Sequence, residues 1–91
     1  MIAGFRHRGL EALYRTGKTR RIGADYNRKC VRVLQLLAVA EQAEDMNIAG
    51  LHFHGLQGNQ KRWSVRVSGS YRITFGWLGE HALDVDFEDY H

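Results

Sequence analysis

Hydrophobic and polar positions follow two different periods along the chain, and the change of period divides it. Leu10, Leu13 and Tyr14 fall at helical spacing within Arg8–Thr16, and Gly17 follows as a left-handed stop, which predicts a short first helix. From residue 26 to about residue 44, Tyr26, Cys30, Val33, Leu34, Leu37, Ala38 and Ala40 trace one apolar stripe, with Asp25 as its N-cap. This predicts the longest helix. Asn47-Ile48-Ala49-Gly50 breaks it, and residues 51–62 carry no sustained period and read as a loop. From Trp63 the period becomes two. Trp63, Val65 and Val67 alternate with Ser64 and Arg66, Ser68-Gly69 supplies a turn, and Tyr71, Ile73, Phe75 and Trp77 alternate with Arg72, Thr74 and Gly76. After a second turn at Leu78-Gly79-Glu80, Leu83, Val85 and Phe87 alternate with Asp84, Asp86 and Glu88. Three antiparallel strands in a meander are expected, and residues 1–5 form either an edge strand or an extended arm.

Strand parity carries the main structural inference. It assigns the aromatic and β-branched residues to one face and Arg66, Arg72, Thr74, Asp84, Asp86 and Glu88 to the other. One face packs on the helices, leaving a polar face for solvent or ligand. The expected fold is α+β, with two N-terminal helices packed on one face of a small antiparallel sheet.

Composition narrows the class. With 91 residues, 44% hydrophobic and 25% charged, the chain is expected to form one domain over residues 1–91, and disordered or fibrous classes are excluded. A domain of this size has a radius of gyration of roughly 12 Å and no room for a large enclosed cavity, so any chemistry belongs in an open groove. No apolar run is long enough for a membrane helix, and Arg6, His7 and Arg8 interrupt the place a signal peptide would use, so a cytoplasmic protein without membrane contact is expected. The single cysteine, Cys30, rules out an internal disulfide and a thiolate zinc site. No cofactor is expected.

Charge is unevenly distributed. Residues 1–46 hold nine Lys/Arg against five Asp/Glu, and the remainder hold four against five. A basic half favours a polyanionic partner or an acidic protein. Along the second helix the bases come first and the acids last, against the preference of the helix dipole, so something other than helix stability favours them.

Of the five histidines, His7 and His81 sit beside helix-start and turn signals and read as solvated. His52 and His54 would share a face in an extended segment but lack a third ligand at suitable spacing, so no metal site is expected. His54 in the Gly-rich segment, Arg72 on the polar strand face, and Tyr90 and His91 beyond the last strand are the residue types that RNA cleavage uses. That reaction needs a base for the ribose 2′-hydroxyl, a cation for the phosphoryl oxygens and an acid for the leaving 5′-oxygen. A purely structural reading is equally coherent: Arg66 and Arg72 would pair across strands with Asp84 and Asp86, and Tyr90 would cap the core.

Four ordered motifs bear on that choice. His54-Gly55-Leu56-Gln57-Gly58, Trp63-Ser64-Val65-Arg66-Val67, Tyr71-Arg72-Ile73-Thr74-Phe75 and Asp89-Tyr90-His91, with Phe5 and Gly17 framing the first helix, resemble the RelE/ParE toxin superfamily and most closely its HigB branch. The resemblance implies the toxin of a type II toxin-antitoxin system: a ribosome-dependent mRNA endonuclease acting by metal-free 2′-hydroxyl attack. Its partners would be the ribosome, mRNA and a HigA-like helix-turn-helix antitoxin. It implies proton transfer by His54, a phosphate clamp at Arg72, and RNA orientation with the second proton step from Tyr90 and His91. The terminal carboxylate beside His91 would favour its protonated form, suiting it to the acid's role.

One position departs from the family pattern, which has Lys where this chain has Gln57. Lys61, Arg62 and Arg66 are the expected phosphate-binding substitutes or neighbours. Arg15, Lys18, Arg20, Arg21, Arg28, Lys29 and Arg32 are expected to contact ribosomal RNA. The alternatives are a ParE-like toxin that targets DNA gyrase without hydrolysis, and an RNA-binding member weakened by Gln57.

Overall fold

The first helix begins where His7 lends it an acceptor. A computed structural model describes residues 1–90; in it α1 spans Arg8–Thr16, and His7 Nδ1 accepts the Leu10 N–H at 3.0 Å. His7 is therefore the N-cap rather than a solvated side chain, because one of the free N–H groups of the first turn finds its partner there. At the other end Gly17 takes φ 77° and its N–H reaches the Leu13 carbonyl at 2.9 Å, as the sequence implies.

Helix α2 spans Ala24–Val39, with Gly23 as the N-cap and Asp25 in the first turn. It is shorter than its apolar stripe suggests. The Asp45 carboxylate accepts the N–H groups of Glu41 at 2.9 Å and Gln42 at 3.3 Å, which starts a separate 3₁₀ turn over Ala43–Met46. Ala40, Ala43 and Met46 remain buried across the break, so the hydrophobic pattern continues while the backbone does not.

The sheet contains four antiparallel strands in the order β1 (His54–Leu56), β2 (Arg62–Arg66), β3 (Tyr71–Leu78) and β4 (His81–Asp89). β1 lies in the segment expected to be a loop. Three residues centred on a glycine have no period to read, and the strand exists through its pairing with β2, His54 opposite Ser64 and Leu56 opposite Arg62. Residues 1–5 form the arm, running parallel to β4 with Ile2 beside Ala82 and Phe5 beside Val85.

β4 also departs from simple alternation. Thr74 faces Asp86 but Gly76 faces Leu83, so Phe75 alone opposes both Asp84 and Val85. The extra residue forms a bulge in which Asp84 adopts φ 50°, a backbone conformation that Asp tolerates better than most residues. The shift turns Ala82 and Val85 into the core and leaves Leu83 only partly buried, contrary to the expected inward position of Leu83.

Leu10 and Leu13 of α1, Cys30, Val33, Leu34 and Leu37 of α2, and Val65, Ile73, Phe75, Ala82 and Val85 of the sheet form one core between the layers. The Cα radius of gyration is 11.9 Å. Burial pushes the Cys30 thiol up to about 12, which keeps it protonated and inert. No helix among the described residues is long and apolar enough to cross a membrane.

Candidate active site

Directly opposed residues share a face of a sheet, so the register defines two polar rows on the side away from the helices. One runs His54, Ser64, Thr74, Asp86; the other runs Arg66, Arg72, Glu88. Arg66 and Arg72 thus face each other as like charges, an arrangement that costs stability unless other groups offset it. The Tyr90 ring contributes that offset, with its centroid 5.1 Å from the Arg72 guanidinium and 5.7 Å from that of Arg66. Tyr90 is held in position by its backbone N–H, which donates to the Ser70 carbonyl at 2.9 Å. Among the described residues neither arginine forms an ion pair with Asp84 or Asp86, so the purely structural pairing considered above does not occur.

Two polar atoms on this face are buried without a hydrogen-bond partner among the described residues: Nε of Arg72 and Oγ of Ser64. An unsatisfied buried donor is costly, and such atoms mark places where a ligand or water completes the network.

His54 is exposed, and its Nδ1 lies 3.0 Å from the carbonyl of His52, whose backbone is at φ 50°. A carbonyl only accepts, so Nδ1 carries the proton in the neutral ring and Nε2 keeps its lone pair for an incoming proton. His54 and Arg72 lie two strands and two residues apart on one face, roughly 12 Å between Cα atoms from standard sheet spacings.

Beside these rows is an open cleft of about 370 Å³ lined by Arg6, Gln57, Arg62, Arg72 and Glu88 together with the loop 58–60. Arg62 forms its inner wall. Its Nη2 donates to Thr74 Oγ1 at 3.0 Å and to the Asp84 carbonyl at 2.9 Å, while Thr74 Oγ1 in turn donates to the Glu88 carboxylate. Thr74 is fully buried beneath this chain although it belongs to the polar face. Burial, followed by the neighbouring charge of Arg6, holds the Arg62 guanidinium below its ordinary range, though still cationic. Lys61 does not line the cleft; its Nζ lies 5.4 Å from the centroid of the Trp63 ring.

The candidates therefore divide. Arg72, Arg66 and Tyr90 touch one another, Gln57 and Arg62 share the cleft with Arg72, and His54 stands on the same face without forming a cleft wall. His91 lies outside the described residues. Arg6, Ser64 and Glu88 also belong to the site: strand alternation places Ser64 and Glu88 on the polar face without singling them out, and no periodicity marks Arg6.

Six of the seven arginines and lysines expected to contact ribosomal RNA line three hollows. Lys18, Arg20 and Arg21 join Arg8 around a basic depression between α1 and the loop that follows it. Lys29 and Arg32 line a second hollow with Ile48 and Leu51, and Arg15 pairs with Glu11 at 3.1 Å beside a third. Arg28 is exposed on α2.

Comparison with known proteins decides the family. Residues 3–91 match the family model described as RelE-like toxin of type II toxin-antitoxin system HigB. The chain belongs to the HigB-like toxin family. It is 32% identical to Endoribonuclease HigB of Proteus vulgaris over 92 residues, covering all of both chains. It is 34% identical over 87 residues to Toxin HigB-1 of Vibrio cholerae serotype O1, covering 92% of each. HigB-like toxins are one half of a two-component system, so an antitoxin is the natural partner of this chain. The two-helix, four-strand α+β architecture agrees with the RelE-like fold expected from the sequence.

Proposed function

We propose that this HigB-like toxin is an endoribonuclease that cuts messenger RNA on the ribosome by internal attack of a ribose 2′-hydroxyl, and thereby inhibits translation. The observation that carries the reading is the pairing of Arg72 and Arg66 under Tyr90 on the face that bears His54, with the Arg72 Nε still unpartnered among the described residues. Opposed guanidiniums next to a ring suit a phosphodiester and a base, not an apolar ligand. The relative named as an endoribonuclease supports the same reaction class.

His54 Nε2 takes the 2′-hydroxyl proton as the 2′-oxygen bonds to phosphorus. Arg72 neutralises charge growing on the non-bridging oxygens, and Tyr90 orients the nucleotide. The bond to the 5′-oxygen then breaks, with His91 returning a proton to that oxygen, to leave a 2′,3′-cyclic phosphate and a 5′-hydroxyl. The basic depression around Lys18, Arg20 and Arg21 and the basic face of α2 would bind ribosomal RNA phosphates, and a HigA-like helix-turn-helix antitoxin would silence the toxin. The activity would be cytoplasmic, where ribosomes are.

The test is brief induction followed by mapping of transcript 5′ ends, with Arg72→Ala and His91→Ala beside the native chain. Each variant is expected to relieve growth arrest and remove the new ends while keeping its far-UV circular dichroism. Full toxicity in both overturns the mechanism. Intact transcripts with trapped gyrase–DNA complexes would instead identify a gyrase-directed toxin.

A further inference from the structure

The arm brings a charge to the cleft that the strands do not supply. Arg6 is anchored by its backbone N–H to the Val85 carbonyl at 2.8 Å, and the next residue, His7, is fixed as the α1 cap. Its side chain remains 46% exposed, and its ion pair with Asp84 is long, 3.8 Å. It lines the same cleft as Arg72, Gln57 and Glu88. Of the other cations nearby, Arg62 commits its Nη2 inward to Thr74 and the Asp84 carbonyl, and Lys61 lies over Trp63. Among the described residues, the Arg6 and Arg72 guanidiniums are the ones in the cleft that donate no hydrogen bond to another described residue, one carried by the arm and one by β3. Two such groups along one open groove fit a chain of regularly spaced negative charges better than a single ion.

We propose that Arg6 grips the RNA phosphodiester next to the one held by Arg72, so that the N-terminal arm forms part of the substrate groove. This rests on the nuclease reading above. Because Arg6 would act on a phosphate that does not react, it contributes to binding of substrate and transition state alike.

Single-turnover cleavage of mRNA programmed on ribosomes, titrated with the whole protein, tests this. Arg6→Ala is expected to raise the half-saturating protein concentration about tenfold, the usual worth of a charged hydrogen bond, with the plateau rate within roughly threefold of native. Arg6→Lys recovers most of the loss, and adding Gln57→Lys to Arg6→Ala recovers part of it by returning a cation to the same cleft. Arg72→Ala lowers the plateau itself by about 10²-fold or more. Unfolding midpoints of each variant distinguish a weakened grip from an unstable fold, and Arg6→Gln, which keeps the aliphatic stem, serves if Arg6→Ala is unstable. Native half-saturation in both Arg6→Ala and Arg6→Gln, with Arg72→Ala inactive, overturns the role of Arg6 and leaves the nuclease reading standing. A fall in plateau without a change in half-saturation also overturns it. Full activity of Arg72→Ala removes the nuclease reading and this inference with it.

Discussion

The Arg72 guanidinium sits 5.1 Å from the centroid of the Tyr90 ring, so the last described residue and the start of β3 form one unit. The stack fixes a flexible arginine before any RNA arrives. Tyr90→Phe keeps the ring and is expected to cleave within about threefold of the native rate, whereas Tyr90→Ala frees Arg72 and loses roughly 10²-fold, the scale of a misplaced reacting group. Cleavage kinetics on programmed ribosomes read both. Equal loss in the two variants would transfer the role from the ring to the hydroxyl.

Thr74 couples the cleft wall to β4 by accepting from Arg62 and donating to Glu88. Thr74→Val keeps the shape and removes both bonds beneath a half-buried guanidinium. Urea denaturation is expected to show a loss of about 1 to 3 kcal/mol, with Thr74→Ser much closer to native.

His7 caps α1 only while Nδ1 is unprotonated, and burial, the largest influence, lowers its pKa from 6.5, with Asp86 opposing and Arg21 reinforcing the shift. A folded pKa below the unfolded value means that the unfolded chain binds more protons between the two. The contribution of His7 is therefore complete above about pH 6.5 and is lost as pH falls through the folded pKa. His7→Asn, which caps without titrating, is expected to flatten the part of the stability–pH curve that lies below about pH 6.5. An unchanged slope in urea titrations would remove His7 as its source.

Gly9 lets the basic loop close on α1. A Cβ there would stand 2.5 Å from Arg21 Cβ and 3.0 Å from Thr19 Oγ1. Gly9→Ala is expected to cost about 1 to 3 kcal/mol by overpacking and to push the loop outward. Ribosome pelleting at graded salt should then show weaker binding, with a slope shallower by about 0.7 for each phosphate that the displaced loop no longer reaches.

The polar face is legible in the sequence because strand parity needs only two neighbouring strands to agree, and Arg66, Arg72 and Glu88 fall in the row that parity predicts. Parity fails at Leu83 because a bulge is a tertiary accommodation: one extra residue at Asp84 resets the alternation and leaves only an unmarked Asp in the sequence. β1 is illegible since three residues carry no period, and only the pairing of His54 with Ser64 and of Leu56 with Arg62 makes them a strand. The end of α2 is hidden because Asp45 stops the helix through a side chain while Ala43 and Met46 keep the apolar spacing. Arg6 escapes a sequence reading for a different reason. Its importance comes from where the arm lies, and a non-periodic segment gives no means of placing it against β4.

That arm also decides where a second polypeptide can join the sheet. Ala3 and Arg6 donate to Ala82 and Val85, and Met1 and Gly4 accept from the same two residues, so the first half of the outer margin of β4 is already paired by the chain itself. The opposite margin of the sheet is that of β1, three residues long. A partner that adds a strand at that margin would lie alongside His54, where docking would also cover the imidazole proposed as the base.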